Sequence, residues 1–142
     1  MLADNLSAAI DSEGWQELSN RAELPCTEDD YFGTSGASPT SPDSRRSYRR
    51  IRIRGRLEVR RGSEILGAYT NDVSPAGVGF YSPVQLYPKE RVTVVFDGYG
   101  DLELQISRCR RVREQCYACG GEFTEGKMSP GIYRELLRFL KV

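Results

Sequence analysis

The clearest pattern in this 142-residue chain is a run of alternating apolar and charged residues that starts near residue 51. The apolar members are Ile51, Ile53, Leu57 and Val59, and the charged ones are Arg52, Arg54, Arg56, Glu58 and Arg60. A period of two is that of a β-strand with one buried face and one face in water. Gly55 interrupts the run and predicts a bend.

Further short strands follow, separated by turn residues. We predict turns or tight loops at 61–63, 72–77, 97–100 and 114–115, an irregular crossing between Pro83 and Pro88, and strands at 65–70, 78–81, 92–96, 102–112 and 116–123. Closing such short antiparallel strands into a small barrel hides their edges.

A helix is predicted at the C-terminal end. Ser129 is a good helix N-cap and Pro130 a good first helical residue. One apolar stripe is formed by Ile132, Leu136, Phe139 and Leu140. The predicted fold is therefore mainly β, a small six-stranded antiparallel β-barrel with a C-terminal packing helix.

The N-terminal part has a different composition. Residues 1–44 contain nine Asp/Glu against Arg21 alone, a net charge of −8, whereas residues 45–142 have a net charge of +8. A thin apolar pattern predicts one helix from about residue 4 to 20, and the composition of residues 25–44 is that of a flexible linker. We predict an acidic, largely flexible segment over 1–44 and a barrel domain over 45–142 that attracts anions.

Several classes of protein are disfavoured. No run of eighteen apolar residues and no secretory signal is present, so we expect a cytoplasmic protein without a membrane span. No histidine occurs, and no nucleophile is paired with a base, which argues against an enzyme.

The four cysteines of the chain are expected to be free thiols. Cys116 and Cys119 resemble half of a zinc knuckle, but a structural zinc needs four ligands, and on a strand these two would face opposite sides. We therefore expect no metal site, and whether this pair does redox chemistry is left open.

Two motifs carry candidate chemistry. Four arginines, whose flat guanidinium groups suit phosphate oxygens, lie within six residues: Arg45, Arg46, Arg49 and Arg50. The second motif is Asp72-Val73-Ser74-Pro75-Ala76-Gly77. An Asp-x-Ser turn that only holds its own backbone is the alternative interpretation of this loop.

With both motifs in this order, residues 44–142 resemble the PilZ domain, a bacterial family that binds the second messenger cyclic di-GMP. Arg46 and Arg50 match the Arg-x-x-x-Arg element, with Arg45 before it, and residues 72–77 match the Asp/Asn-x-Ser-x-x-Gly element. The resemblance implies a PilZ-type barrel that needs no cofactor. The implied ligand contacts are Arg45, Arg46, Arg50, Asp72, Ser74 and Gly77, with Arg49 left open because Arg45 and Arg49 have the same spacing.

The physical chemistry of these residues agrees with the resemblance. Arginines can clamp phosphate or lie against a guanine ring, and the Asp72 carboxylate can accept from the guanine N1–H and N2–H₂ edge. Ser74 can bind the ligand or its own loop. Gly77 provides either an unusual backbone conformation or a close approach that a Cβ would obstruct.

The favoured function is a cyclic di-GMP receptor that signals to a downstream protein partner by a conformational change of the arginine-rich arm. The alternatives are a nucleotide-independent adaptor, which intact motifs argue against, and a basic barrel that binds nucleic acid. The acidic Glu28-Asp29-Asp30 either competes for the arginines or only aids solubility.

Overall fold

The computed structural model describes residues 12–32, 36–37, 51–96 and 99–139. The helices in these ranges are α1 (Ser12–Gln16), α2 (Glu28–Phe32) and α3 (Pro130–Phe139). The strands are β1 (Gly36–Ala37), β2 (Ile51–Arg52), β3 (Arg56–Arg61), β4 (Glu64–Ser74), β5 (Gly77–Ser82), β6 (Arg91–Phe96), β7 (Gly100–Arg113) and β8 (Cys116–Phe123).

Six of the strands close into a barrel. They are hydrogen-bonded in the order β4-β3-β6-β7-β8-β5, and β5 pairs back onto β4, with every pairing antiparallel. The short strands β2 and β1 extend the sheet from β4. The predicted six-stranded antiparallel barrel with a C-terminal helix is confirmed.

The barrel core is built from the residues that the alternation placed on the inner face. Leu57 and Val59 of β3 are fully buried, and they pack in one cluster with Val94, Phe96 and Leu104. Burial of this apolar surface is the main contribution to the stability of a domain of this size.

Helix α3 covers the core through Leu136, which is fully buried. Ser129 is the N-cap, since its Oγ accepts from the Ile132 N–H at 3.3 Å. The predicted apolar stripe is wrong at Ile132, which is 49% exposed. Tyr133 packs on the barrel instead, and its hydroxyl donates to the Val73 carbonyl at 3.2 Å. No helix in the described ranges is long and apolar enough to cross a membrane.

The loop predicted at 72–77 is shorter in the structure. Strand β4 continues to Ser74 and β5 starts at Gly77, which leaves only Pro75 and Ala76 in the turn. Asp72 and Ser74 therefore lie on a strand, because β2 and β5 pair with β4 on its two sides. The ladder with β5 shifts register between Thr70 and Asp72, so Asn71 is an extra residue there.

The N-terminal segment packs on the outside of the barrel. Trp15 is 2% exposed and Tyr31 1% exposed, in a second cluster with Ala22, Leu24 and Tyr69. Backbone hydrogen bonds join this segment to Gly67 of β4, from the Ala22 N–H to the Gly67 carbonyl at 2.7 Å and from the Gly67 N–H to the Asn20 carbonyl at 2.8 Å.

Two predictions for this segment need correction. The flexible linker does not hold for Glu28–Phe32, which is helical, because Tyr31 finds a buried site against the barrel. The helix predicted from about residue 4 to 20 is observed as Ser12–Gln16, and residues 1–11 lie outside the described part.

The Tyr31 hydroxyl is the polar anchor of α2. It donates to the Thr70 carbonyl at 2.5 Å and accepts from the Gly55 N–H at 3.0 Å. Burial raises the pKa of this phenol, so the hydroxyl stays protonated. The Arg54 guanidinium lies 5.1 Å over the Tyr31 ring, and its Nη1 donates to Asn71 Oδ1 at 2.8 Å. Helix α2 is thereby fixed at the bend before β3 and at the bulge of β4.

We predict that Tyr31→Phe lowers the free energy of unfolding by about 1–3 kcal/mol, because buried partners of the lost hydroxyl are left unsatisfied. Urea unfolding followed by the fluorescence of Trp15, the single tryptophan, measures the change. Tyr87→Phe is the matched control, since Tyr87 is 54% exposed. Equal unfolding midpoints for the two variants would contradict the anchoring role.

Candidate functional site

The predicted motif residue Asp72 lies in a row of residues that crosses five neighbouring strands. The direct cross-strand partners are Arg52 with Asp72, Asp72 with Gly79, Gly79 with Gly120, and Gly120 with Arg108. Directly opposed residues in an antiparallel sheet point to the same face. We call these five residues the Arg-Asp-Gly-Gly-Arg row.

The row lies on the outer face of the barrel. Its members alternate along their strands with core residues such as Val73, Val78 and Cys119, which point inward. Asp72 is half-buried and Arg108 is exposed. The row therefore presents one carboxylate and two guanidinium groups at the surface, close to where β5 closes the barrel.

The two glycines make room for the charged side chains. A Cβ on Gly79 would lie 2.6 Å from Asp72 Oδ1 and 3.7 Å from Arg108 Nη2. A Cβ on Gly120 would lie 2.6 Å from Arg108 Cζ. The Asp72 carboxylate therefore lies over Gly79, and the Arg108 guanidinium lies over Gly120. Sequence reasoning missed Arg52, Gly79, Arg108 and Gly120, because only the register of distant strands brings them together.

The negative charge of Asp72 also acts on Tyr133 of helix α3. The pKa of Tyr133 is raised by burial first and by the negative charge of Asp72 second. The Tyr133 hydroxyl bonds the carbonyl of Val73, the residue after Asp72. The helix is therefore attached to the strand segment that carries the carboxylate.

Ser74 and Gly77 have structural roles in the turn that joins β4 to β5. The buried Ser74 accepts from the Ala76 N–H through Oγ at 3.2 Å, which is the local turn contact that the sequence left open. A Cβ on Gly77 would overlap with the backbone carbonyl of Gly121 on β8, so Gly77 is needed for close approach rather than for a positive φ. Their roles as ligand contacts stay predictions.

The predicted arginines lie outside the described residues. These are Arg45, Arg46, Arg49 and Arg50. The chain enters β2 at Ile51, whose Cα partner is Val73, the residue between Asp72 and Ser74. Ile51 also pairs with Ala37 of β1. The described residues that flank segment 38–50, Ala37 and Ile51, therefore lie on strands next to the motif on β4.

The cysteines separate as their spacing predicted. Cys119 belongs to the barrel core, next to Cys109, whereas Cys116 is buried on the other face near Glu23 and Cys26. Among the residues that the structure describes, no group of three or more His, Cys, Asp or Glu is placed to hold a metal ion.

The arrangement provides groups for binding. Asp72 offers a carboxylate acceptor, and Arg52 and Arg108 offer planar donors. Such a set suits a small ligand that combines anionic groups with a donor-rich planar edge.

Comparison with known proteins agrees with this fold. The family profile described as PilZ domain matches residues 44–141. No curated protein gives a significant match.

Three solved structures are similar to this chain. MotI/DgrA, the inhibitor of motility of Bacillus subtilis, is 13% identical at a TM-score of 0.50, over 69% of this chain and 50% of its own. YcgR from Escherichia coli in complex with c-di-GMP is 20% identical at a TM-score of 0.49, over 69% and 45%. The PilZ domain of YcgR with c-di-GMP is 19% identical at a TM-score of 0.48, over 69% and 90%.

At such low identities a likeness to solved structures concerns the fold alone, and MotI/DgrA supports it here. The chain spans about half the length of MotI/DgrA and of YcgR. The family itself rests on the profile, which covers most of the chain, from residue 44 to residue 141. With the closed six-stranded barrel and the C-terminal helix, this match shows that the chain belongs to the PilZ domain family.

Proposed function

We propose that this chain is a receptor for cyclic di-GMP. The observation that carries the proposal is the Arg-Asp-Gly-Gly-Arg row, which places the motif carboxylate between guanidinium groups beside the point where the arginine segment joins β2. Membership of the PilZ domain family supports it.

The ligand chemistry fits the row. A guanine edge offers N1–H and N2–H₂ donors, and the Asp72 carboxylate is an acceptor that can take both. The Arg108 guanidinium, which lies over Gly120, can stack on a guanine ring or bind a phosphate. In this proposal Arg46 and Arg50, with Arg45 and Arg49, hold the phosphates.

The proposed signal is a conformational change of the arginine segment. The residues that flank it, Ala37 and Ile51, pair with each other on β1 and β2. Drawing the segment onto a bound nucleotide would act on these two strands and change the surface offered to a downstream protein partner. The change is driven by the difference in ligand affinity between the two states of the segment.

We predict that Arg46→Ala or Arg50→Ala nearly abolishes binding of cyclic di-GMP, because each removes charge-assisted hydrogen bonds worth roughly 1.5–3 kcal/mol. Isothermal titration measures the affinity. The control is Arg91→Ala, a strand arginine whose side chain is 65% exposed. Titration curves that match the unmodified protein for both motif variants would refute the proposal.

We predict that Asp72→Ala weakens cyclic di-GMP more than cyclic di-AMP, because adenine lacks the two-donor edge that a carboxylate accepts. Gly79→Ala should act in the same direction, since its Cβ would displace the Asp72 carboxylate. Gly131→Ala is the control, because a Cβ there meets nothing within 4 Å. Equal losses for the two nucleotides would show that Asp72 only shapes the strand.

The acidic residues of α2 allow a further prediction. Deleting residues 1–43 would also remove Trp15 and Tyr31 from their buried cluster, so charge neutralisation is the cleaner change. If the acidic group competes for the arginines, the triple variant Glu28→Gln, Asp29→Asn, Asp30→Asn should bind cyclic di-GMP more tightly at low salt. The gain should shrink as added salt brings the screening length down to about 8 Å at physiological ionic strength.

The control for this variant neutralises three exposed acidic residues of the barrel, Asp101, Glu114 and Glu125. Equal affinities of the α2 variant and the unmodified protein at low ionic strength would leave the acidic group without a competing role.

A further inference from the structure

Two thiols face each other across β7 and β8. Cys109 and Cys119 are direct cross-strand partners, and their sulfur atoms lie 3.2 Å apart. Direct antiparallel partners have Cα atoms about 4.5–5.5 Å apart, within the range of about 4.4–6.8 Å that disulfides span. The backbone therefore already has the spacing that a disulfide needs.

We propose that Cys109 and Cys119 are a modification site at which an oxidant such as a peroxide forms a reversible disulfide. Nothing in the cyclic di-GMP motif requires these two residues to be cysteine. Cys109 is the half-buried member, so it meets the oxidant first, while Cys119 is 2% exposed. The Cys109 Sγ accepts from the Leu86 N–H at 3.4 Å and from the Cys119 thiol, so it faces Cys119 directly.

The reaction balances in two steps with one hydrogen peroxide. The Cys109 sulfur attacks a peroxide oxygen, the O–O bond breaks, and sulfenic acid and one water form. The Cys119 sulfur then attacks the Cys109 sulfur and displaces its hydroxyl, which leaves as a second water with the Cys119 proton. Two thiols are oxidised to one disulfide, and the peroxide is reduced to two waters.

The geometry favours this pair over the other cysteines, because the two sulfur atoms are already 3.2 Å apart. Burial, followed by the hydrogen bond to Cys109, raises the pKa of Cys119, so Cys119 stays a thiol at neutral pH and donates its S–H to Cys109. Burial also raises the pKa of Cys116, and its sulfur is on the opposite face of β8. Cys26 is exposed and lies near Cys116, so these two provide the competing pair for the test.

The cross-link would reach the candidate site. Arg108 precedes Cys109 and Gly120 follows Cys119, and these two are partners in the Arg-Asp-Gly-Gly-Arg row. A bond of about 2.05 Å between the sulfurs would link β7 covalently to β8 next to the row. Because Arg108 lies over Gly120, its guanidinium would then be less able to adjust to a bound nucleotide, and we expect several-fold weaker binding. This consequence rests on the proposed function, whereas the disulfide does not.

Peptide mapping of the full chain tests the disulfide. Protein treated with hydrogen peroxide is alkylated, digested with trypsin without reduction and analysed by mass spectrometry. Trypsin cleaves after Arg108 and Arg110, which separates Cys109 from the peptide that carries Cys116 and Cys119. We expect these peptides to be joined with the loss of two hydrogens, and dithiothreitol to release them.

Variants assign the link. The double variant Cys26→Ser, Cys116→Ser should still form it, and Cys109→Ser should not. Sulfinic or sulfonic acid at Cys109 without a cross-link, or a cross-link of Cys26 with Cys116 alone, would overturn the proposal. If a variant fails to fold, fragmentation of the linked peptides from the unmodified protein identifies the two joined cysteines directly.

Titration of the Cys26→Ser, Cys116→Ser variant with cyclic di-GMP, in reduced and oxidised form, tests the effect on the site. We expect the oxidised form to bind several-fold more weakly and dithiothreitol to restore the affinity. Equal affinities of the two forms would overturn the effect on the site. No binding to the reduced form would overturn the proposed function and leave the mapped disulfide standing.

Discussion

The structure depends on the pairing of β5 with β4 on one side and β8 on the other. This pairing closes the six-stranded barrel, so that β4 and β5 are not left as free edge strands. It needs Gly77, because a Cβ there would overlap with the carbonyl of Gly121 and hold β5 away from β8. The same pairing of β5 with β8 places Gly79 opposite Gly120. The close approach at Gly77 therefore supports both the closed core inside the barrel and the Arg-Asp-Gly-Gly-Arg row on its outer face.

The elements could be predicted from the sequence where the pattern is local. Strand β8 has the bounds that its turns predicted, and the alternation around Leu57 and Val59 assigned the inner face of β3 correctly. The row could not be predicted, because it depends on the register between strands. Asp72 and Arg108 both come close to Gly79 only because a bulge at Asn71 sets the phase of β4 and another shift in β7 precedes Arg108. Such irregularities have no signature in a single sequence.

The packing of the N-terminal residues 12–32 could not be predicted, for a different reason. The polar, acidic composition of this segment predicted flexibility, and its few aromatic residues, Trp15 and the adjacent Tyr31 and Phe32, follow no period. Their burial comes from tertiary contacts, since Tyr31 bonds backbone groups at Gly55 and Thr70, on the bend and on β4. A side chain that satisfies distant backbone groups gives no pattern along its own segment. Composition therefore described the charge of this segment correctly and its packing incorrectly.

These contacts connect the N-terminal segment to the candidate site. Arg54 lies over the Tyr31 ring and donates to Asn71, the residue before Asp72. Tyr133 of α3 bonds the carbonyl of Val73, the residue after Asp72. Two elements outside the barrel wall are thus attached within one residue of the motif carboxylate, on either side of it. A ligand that moves Asp72 would act on α2 through Arg54 and on α3 through Tyr133, and the docking of either element would in turn change the free energy of binding at Asp72.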